Sequence, residues 1–208
     1  MPVTFPKKWL ATGSFYLTLK QENTLSTSEK NQQTDPDLVL GIDPGTAIMG
    51  YGLVRAFDGG SSPGDFELVE YGALTTPAGE PLARRLLSLY SQLNALLDRF
   101  HPAEVVVEEL FFNRNTTTAI AVGQARGVAL LAAANHNLPV QEYTPLQVKQ
   151  ALAGYGRATK DQIQQMVKVL LDLDFIPKPD DAADALALAI CHLRGRRFQN
   201  LLAEQTDY

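Results

Sequence analysis

The sequence predicts an α/β fold: a mixed five-stranded sheet flanked by helices. Three observations predict it. Three strand-like segments follow one another across short turns, a continuously apolar strand lies deeper in the chain, and helical patterns alternate with the later strands. The 208 residues suffice for one well-buried domain plus an additional segment.

The elements follow in chain order. LVLGID (38–43), GYGLVRAF (50–57) and FELVEYGALT (66–75) read as strands, with DPGT and DGGSSPGD supplying turn chemistry between them. Short turns between successive strands predict an antiparallel meander. In EPLARRLLSLYSQLNALLDRF, Leu82, Leu86, Leu89, Leu93, Leu96 and Phe100 recur at spacings of three or four, which predicts an amphipathic helix ended by His101-Pro102. AEVVVEEL (103–110) is apolar without alternation, as expected of a central, parallel strand covered on both faces. An Ala-rich helix over 116–135 and a fifth strand, PVQEY, come next. Three helical segments close the chain: PLQVKQALA, KDQIQQMVKVLLDL and DAADALALAICHL.

The domain is thus expected to span 38–195, with a C-terminal tail over 196–208. Residues 1–37 are polar and aperiodic through QENTLSTSEKNQQTDPD, and read as a disordered tail or an over-extended gene start. That segment lacks a continuous apolar signal region, and no apolar run approaches the ~20 residues that span a bilayer. The single cysteine, Cys191, excludes an internal disulfide and a multi-cysteine zinc site, which fits a cytoplasmic location. Cys191 and His192 read as helix-packing and surface residues. Net charge is −5, yet between Phe111 and Lys168 six basic residues face two acidic ones, a locally basic region able to meet phosphates.

Carboxylates recur at element ends. Asp43 closes the first strand, Glu108 and Glu109 close the fourth, and Asp181 and Asp184 sit three apart near the start of the last helix, just after Asp180. Residues i and i+3 share a helix face, so Asp181 and Asp184 can point to one spot. Helix-start chemistry accounts for Asp180 or Asp181 but less well for Asp184, which is deeper and flanked by alanines. Strand side chains alternate, so at most one of Glu108 and Glu109 aims where Asp43 aims. At an effective dielectric of ~20, two like charges ~4 Å apart repel by ~4 kcal/mol, so a gathered set calls for a cation. Oxygen-only ligands suit Mg²⁺ or Mn²⁺. Two such ions ~3.5–4 Å apart are the usual device for cleaving phosphodiesters.

GIDPGTAIMGYG, VVVEELFFNRNTTTAIAVGQARGVALLAAANHNLPVQEY, QVKQALAGYGRATKDQIQQMV and DDAADALALAICH together resemble the RuvC Holliday junction resolvases, in order and spacing, from about 38 to 193. The resemblance implies a ribonuclease H-like fold and a homodimer. It implies Mg²⁺-dependent nicking of four-way DNA junctions at symmetric positions, leaving 5′-phosphate and 3′-hydroxyl ends, in recombination and repair. It assigns Asp43, Glu108, Asp181 and Asp184 as the metal-binding, catalytic acids, and leaves Glu109, where relatives often carry a neutral polar residue, without a role. It matches Phe111 to an aromatic set against unstacked bases, Lys149 and Lys160 to basic residues near the scissile phosphate, and Arg114 to a backbone contact. The helix bearing Gly123 and Gly127 is assigned to the dimer contact, and RuvA and RuvB are the implied branch-migration partners.

Other readings remain. DPGT superficially fits an actin-like ATPase, but one fold unit is too short for its duplicated domain and no GxxxxGK[ST] is present. A junction-binding protein that does not cut, or a nuclease of the same fold acting on RNA–DNA hybrids, are the further alternatives.

Overall fold

The computed structural model describes residues 35–57, 65–109 and 116–206. The elements run β1 (Asp35–Asp43), β2 (Ile48–Ala56), β3 (Phe66–Thr75), α1 (Leu82–Phe100), β4 (Pro102–Glu108), α2 (Thr116–Asn135), β5 (Val140–Tyr143), α3 (Pro145–Ala153), α4 (Lys160–Leu170) and α5 (Asp180–Thr206). The sheet order is β3-β2-β1-β4-β5. β1, β2 and β3 form the expected antiparallel meander, while β4 runs parallel to β1 and β5 parallel to β4.

Both faces of this sheet are covered, which is why the β4 sequence does not alternate. Leu38, Leu40, Ile42, Met49, Leu53, Val105 and Val107 belong to the core shared with α1 and α2. Val39, Val54 and Val106 belong to the opposite core, with α3, α4 and α5. This alternation places the strand-end acids. Asp43 lies two residues beyond Gly41 and four beyond Val39, and Glu108 lies two beyond Val106, so both emerge on the α5 face. The register Gly41↔Val106 and Ile42↔Val107 brings the two strand ends level.

The α5 helix lies unusually close to the sheet. A Cβ added at Gly41 would overlap the Ala185 carbonyl, and one at Gly50 the Asp181 carbonyl. Gly50 is the cross-strand partner of Asp43, so the same gap that admits the first turns of α5 sets them beside that carboxylate.

α4 begins with a capping box: Thr159 Oγ1 accepts from the Gln162 amide, and the Thr159 amide donates to Gln162 Oε1. Thr159→Ala is expected to cost about 1 kcal/mol and lower Tm by about 2–4 °C in thermal unfolding. An unchanged Tm would contradict the cap.

The structure differs from the sequence expectations at several places. β1 starts at Asp35 rather than Leu38, because Asp35 pairs with Pro102 and its carboxylate accepts a 2.7 Å bond from Arg55 Nε. Residues 1–34, most of the expected tail, lie outside the described residues. At the other end the helix does not stop near 193–195: α5 continues to Thr206, so the tail expected over 196–208 is helical from 196 to 206, and residues 207 and 208 lie outside the described set. A lone glycine, Gly195, does not break it. Arg194 donates to the Ala151 carbonyl (2.9 Å) and Arg196 to the Pro36 carbonyl (2.9 Å), tying this stretch to the domain. In α1 the third buried leucine is Leu97 rather than Leu96.

His192 is buried rather than at the surface. Its Nδ1 shares a 3.0 Å hydrogen bond with Tyr143 Oη. Its Nε2 lies 3.2 Å from Glu104 Oε2 but out of line for a hydrogen bond. Burial holds its pKa below the usual value despite Glu104. Burial pushes the Cys191 thiol up to about 12, so it is unreactive.

Candidate active site

A cleft of about 190 Å³ opens where β1, β4, α3, α4 and α5 meet, lined by Asp43, Glu108, Pro145, Val148, Lys149, Lys160, Ile163, Asp184, Ala187 and Leu188. The sheet supplies Asp43 and Glu108 from adjacent strand ends. α5 supplies Asp184, one turn in from its start, and Ala182, Ala183 and Ala185 around it are small enough to keep the helix against the sheet. α3 supplies Lys149 and the start of α4 supplies Lys160. Five of the eight residues singled out from sequence are thereby gathered on one cleft.

Asp181 is not on the cleft wall, although its charge acts on both Asp43 and Asp184. Phe111 and Arg114 lie outside the described residues. Glu109 is exposed, and its amide donates to the Tyr143 carbonyl. The glutamate on the cleft is Glu108, so the alternation argument resolves in its favour.

The acids raise one another's proton affinity. Burial, then Glu108, Asp184 and Asp181, push Asp43 up to about 7, with Lys160 opposing. Burial and Asp184 raise Glu108, again against Lys160. Lys160 Nζ sits 2.9 Å from Asp184 Oδ2. An ion pair alone would hold Asp184 low, but burial, with Asp180 and Asp181, outweighs the lysine and leaves this carboxyl above its ordinary value. Burial opposes the charge on Lys160, yet the bonded Asp184 and nearby Asp180 win and raise its pKa.

Buried carboxylates with so little cationic compensation suit a hard divalent cation, and every donor offered is an oxygen. The donors are not closed into a finished cage: among the described residues no three His, Cys, Asp or Glu side chains stand close enough to hold an ion as they are. Asp184 meanwhile faces an ammonium. The donor chemistry fits a metal, and the side chains would have to close on it.

Sequence reading missed two features. One is the packing of α5 on glycine; Gly41 and Gly50 inside strands were the available signal. The other is Asp180, which reads as a helix-start acid but faces Lys160 in space.

The model of a family described as "Crossover junction endodeoxyribonuclease RuvC" matches residues 39–192. The chain belongs to the RuvC family. The RuvC of Desulfitobacterium hafniense is 64% identical over 163 residues, covering 78% of this chain and 96% of that protein. The RuvC of Moorella thermoacetica is 58% identical over 155 residues, covering 74% and 90%. Among solved structures, that of Thermus thermophilus RuvC in complex with Holliday junction substrate superposes with a TM-score of 0.73 at 38% identity, covering 78% of this chain and 96% of the other. The sheet and its helices are therefore the ribonuclease H-like fold of RuvC. Asp43, Glu108, Phe111, Arg114, Lys149, Lys160, Asp181 and Asp184 all fall inside the RuvC match.

Proposed function

We propose that this chain resolves four-way DNA junctions by divalent-metal-dependent nicking of two strands at symmetric positions, leaving 5′-phosphate and 3′-hydroxyl ends. The observation that carries the reading is the meeting of Asp43, Glu108 and Asp184 with Lys149 and Lys160 on one cleft, in a chain of the RuvC family. Its setting is recombination and repair in the cytoplasm; among the described residues no helix is long and apolar enough to cross a membrane.

Asp43, Glu108, Asp181 and Asp184 would hold Mg²⁺, with Mn²⁺ as a substitute and two ions per site. Such ions, when bound, supply a readily deprotonated water as nucleophile and positive charge at the leaving oxygen. The residues themselves divide the remaining work. Lys149 and Lys160 meet the phosphate as point charges. Val148, Ile163 and Leu188 form a dry wall that strengthens each electrostatic interaction in the cleft. Phe111 stacks on an unpaired base and Arg114 meets the backbone, by resemblance.

Symmetric cuts call for a two-fold dimer. The outer face of α2 supports one: Ile120, Gly127 and Leu131 share a stripe and are exposed. A branch-migration complex of the RuvA and RuvB kind belongs to the same reading.

The test sets a mobile four-way junction beside linear duplex and RNA–DNA hybrid of matching sequence, with Mg²⁺ or EDTA. Paired nicks in the junction alone, only with metal, are expected. Cutting of the hybrid instead would move the activity to another nuclease branch, and binding without cutting would leave a recognition module. Phe111→Ala is expected to reduce junction nicking by about 10-fold while changing duplex binding less than about twofold, since stacking contributes ~1–3 kcal/mol per base. Equal loss of both, read by gel shift and nicking rate, would make Phe111 a packing residue.

A further inference from the structure

Lys160 stands between two carboxylates of α5. Its Nζ is 2.9 Å from Asp184 Oδ2 and 3.6 Å from Asp180 Oδ2. The two oxygens of Asp180 are divided: Oδ1 accepts a 2.6 Å bond from Lys178 Nζ, while Oδ2 faces Lys160. Gln164 lies one turn after Lys160 on α4 and is only 4% exposed, although its amide nitrogen has no well-aligned hydrogen bond. Asp180 is thus a charged group fixed from a second side, within reach of the same lysine that pairs with Asp184.

This matters if Asp184 is a metal ligand, the assignment made in the proposed function and on which the inference rests. A cation on Asp184 repels the ammonium, and a four-carbon stem could carry it out of the cleft into solvent. We propose that Asp180 is a positioning residue: when a divalent cation takes Asp184, Lys160 transfers its pairing to Asp180 and stays at the cleft. The exchange lowers the cost of displacing Lys160, so Asp180 strengthens metal binding through the lysine, without ligating the metal.

The test is Mn²⁺ binding to the full chain without DNA, by titration calorimetry, for the native protein, D180N, K160M and the double variant. Asn keeps the size of the side chain and removes its charge. D180N is expected to weaken Mn²⁺ binding by about threefold, the scale of an exposed ion pair. K160M is expected to bind Mn²⁺ more tightly than the native chain, and adding D180N to it should weaken binding by clearly less than D180N does in the native background. D180E should restore native affinity. Equal weakening by D180N in both backgrounds would overturn the proposal, because Asp180 would then act by its own charge or as a ligand. No effect in either background would overturn it too. D184N tests the foundation separately: undiminished Mn²⁺ affinity there removes Asp184 from the metal site, whatever Asp180 does.

Discussion

Asp43→Asn is expected to lower junction nicking by on the order of 10³-fold or more, because groups that act as one catalytic unit fail together. Junction binding should stay within about twofold, since losing a negative charge harms no phosphate contact. The same change should stabilise the metal-free protein at neutral and higher pH. Folding raises the Asp43 carboxyl from 3.8 to about 7. The folded state therefore holds this proton more tightly than the unfolded state. Below pH 3.8 both states are protonated and the group costs nothing. As pH rises towards 7 the unfolded chain ionises first, and folding stability falls; above 7 the full cost is present. Asn removes that cost, a gain of about 1–3 kcal/mol at pH 8, or roughly 2–10 °C in Tm for a domain of this size. The difference should vanish near pH 4. A variant that still nicks in Mg²⁺, or that melts lower than the native chain at pH 8 in EDTA, would contradict the placement of Asp43 in an undercompensated acidic cluster.

Gly50→Ala should be among the most damaging small substitutions in the chain. The new methyl would overlap the Asp181 carbonyl, which belongs to helix backbone and cannot rotate away. α5 must lift from the sheet or β2 must shift. Overpacking of this kind costs about 1–3 kcal/mol, more where backbone is the obstacle. A Tm lower by about 4–10 °C is expected. Nicking should fall further than stability does, even at temperatures where the variant is fully folded, because the displaced turn carries both Asp181 and Asp184. Ala at Gly127, mid-helix on α2 with nothing within 4 Å, is the control and should keep Tm or raise it by up to about 4 °C, because Ala favours a helix interior over Gly by up to about 1 kcal/mol. Indistinguishable Tm values for the two variants would mean that the helix does not sit on Gly50.

The main lines of the fold were legible because local rules agreed with one another. Strand segments at 38–43, 50–57 and 66–75, joined by turn residues, became β1, β2 and β3, and the run of valines in β4 announced a strand covered on both faces. The acids were only partly legible: alternation let just one of Glu108 and Glu109 share the side of Asp43, with the choice resting on the resemblance, and the i, i+3 spacing pointed Asp181 and Asp184 to one spot, whereas only Asp184 lines the cleft. What stayed hidden depends on chain segments distant in sequence. Asp180 meets Lys160 across twenty residues, and Arg196 reaches the Pro36 carbonyl across 160, so no local pattern could report either. His192 looked like a surface residue near a helix end because the helix was expected to stop beside it. Once α5 runs on to Thr206, the position is mid-helix and faces Tyr143 and Glu104.

The most direct measurement is the anomalous signal of Mn²⁺ bound to crystals of the full chain. The account predicts peaks in the cleft, at about 2 Å from carboxylate oxygens of Asp43 and of Glu108, Asp181 or Asp184, with the Lys160 ammonium withdrawn from Asp184. Mn²⁺ bound elsewhere with the cleft empty, at concentrations that support nicking, would contradict the assignment of these four acids as the metal site.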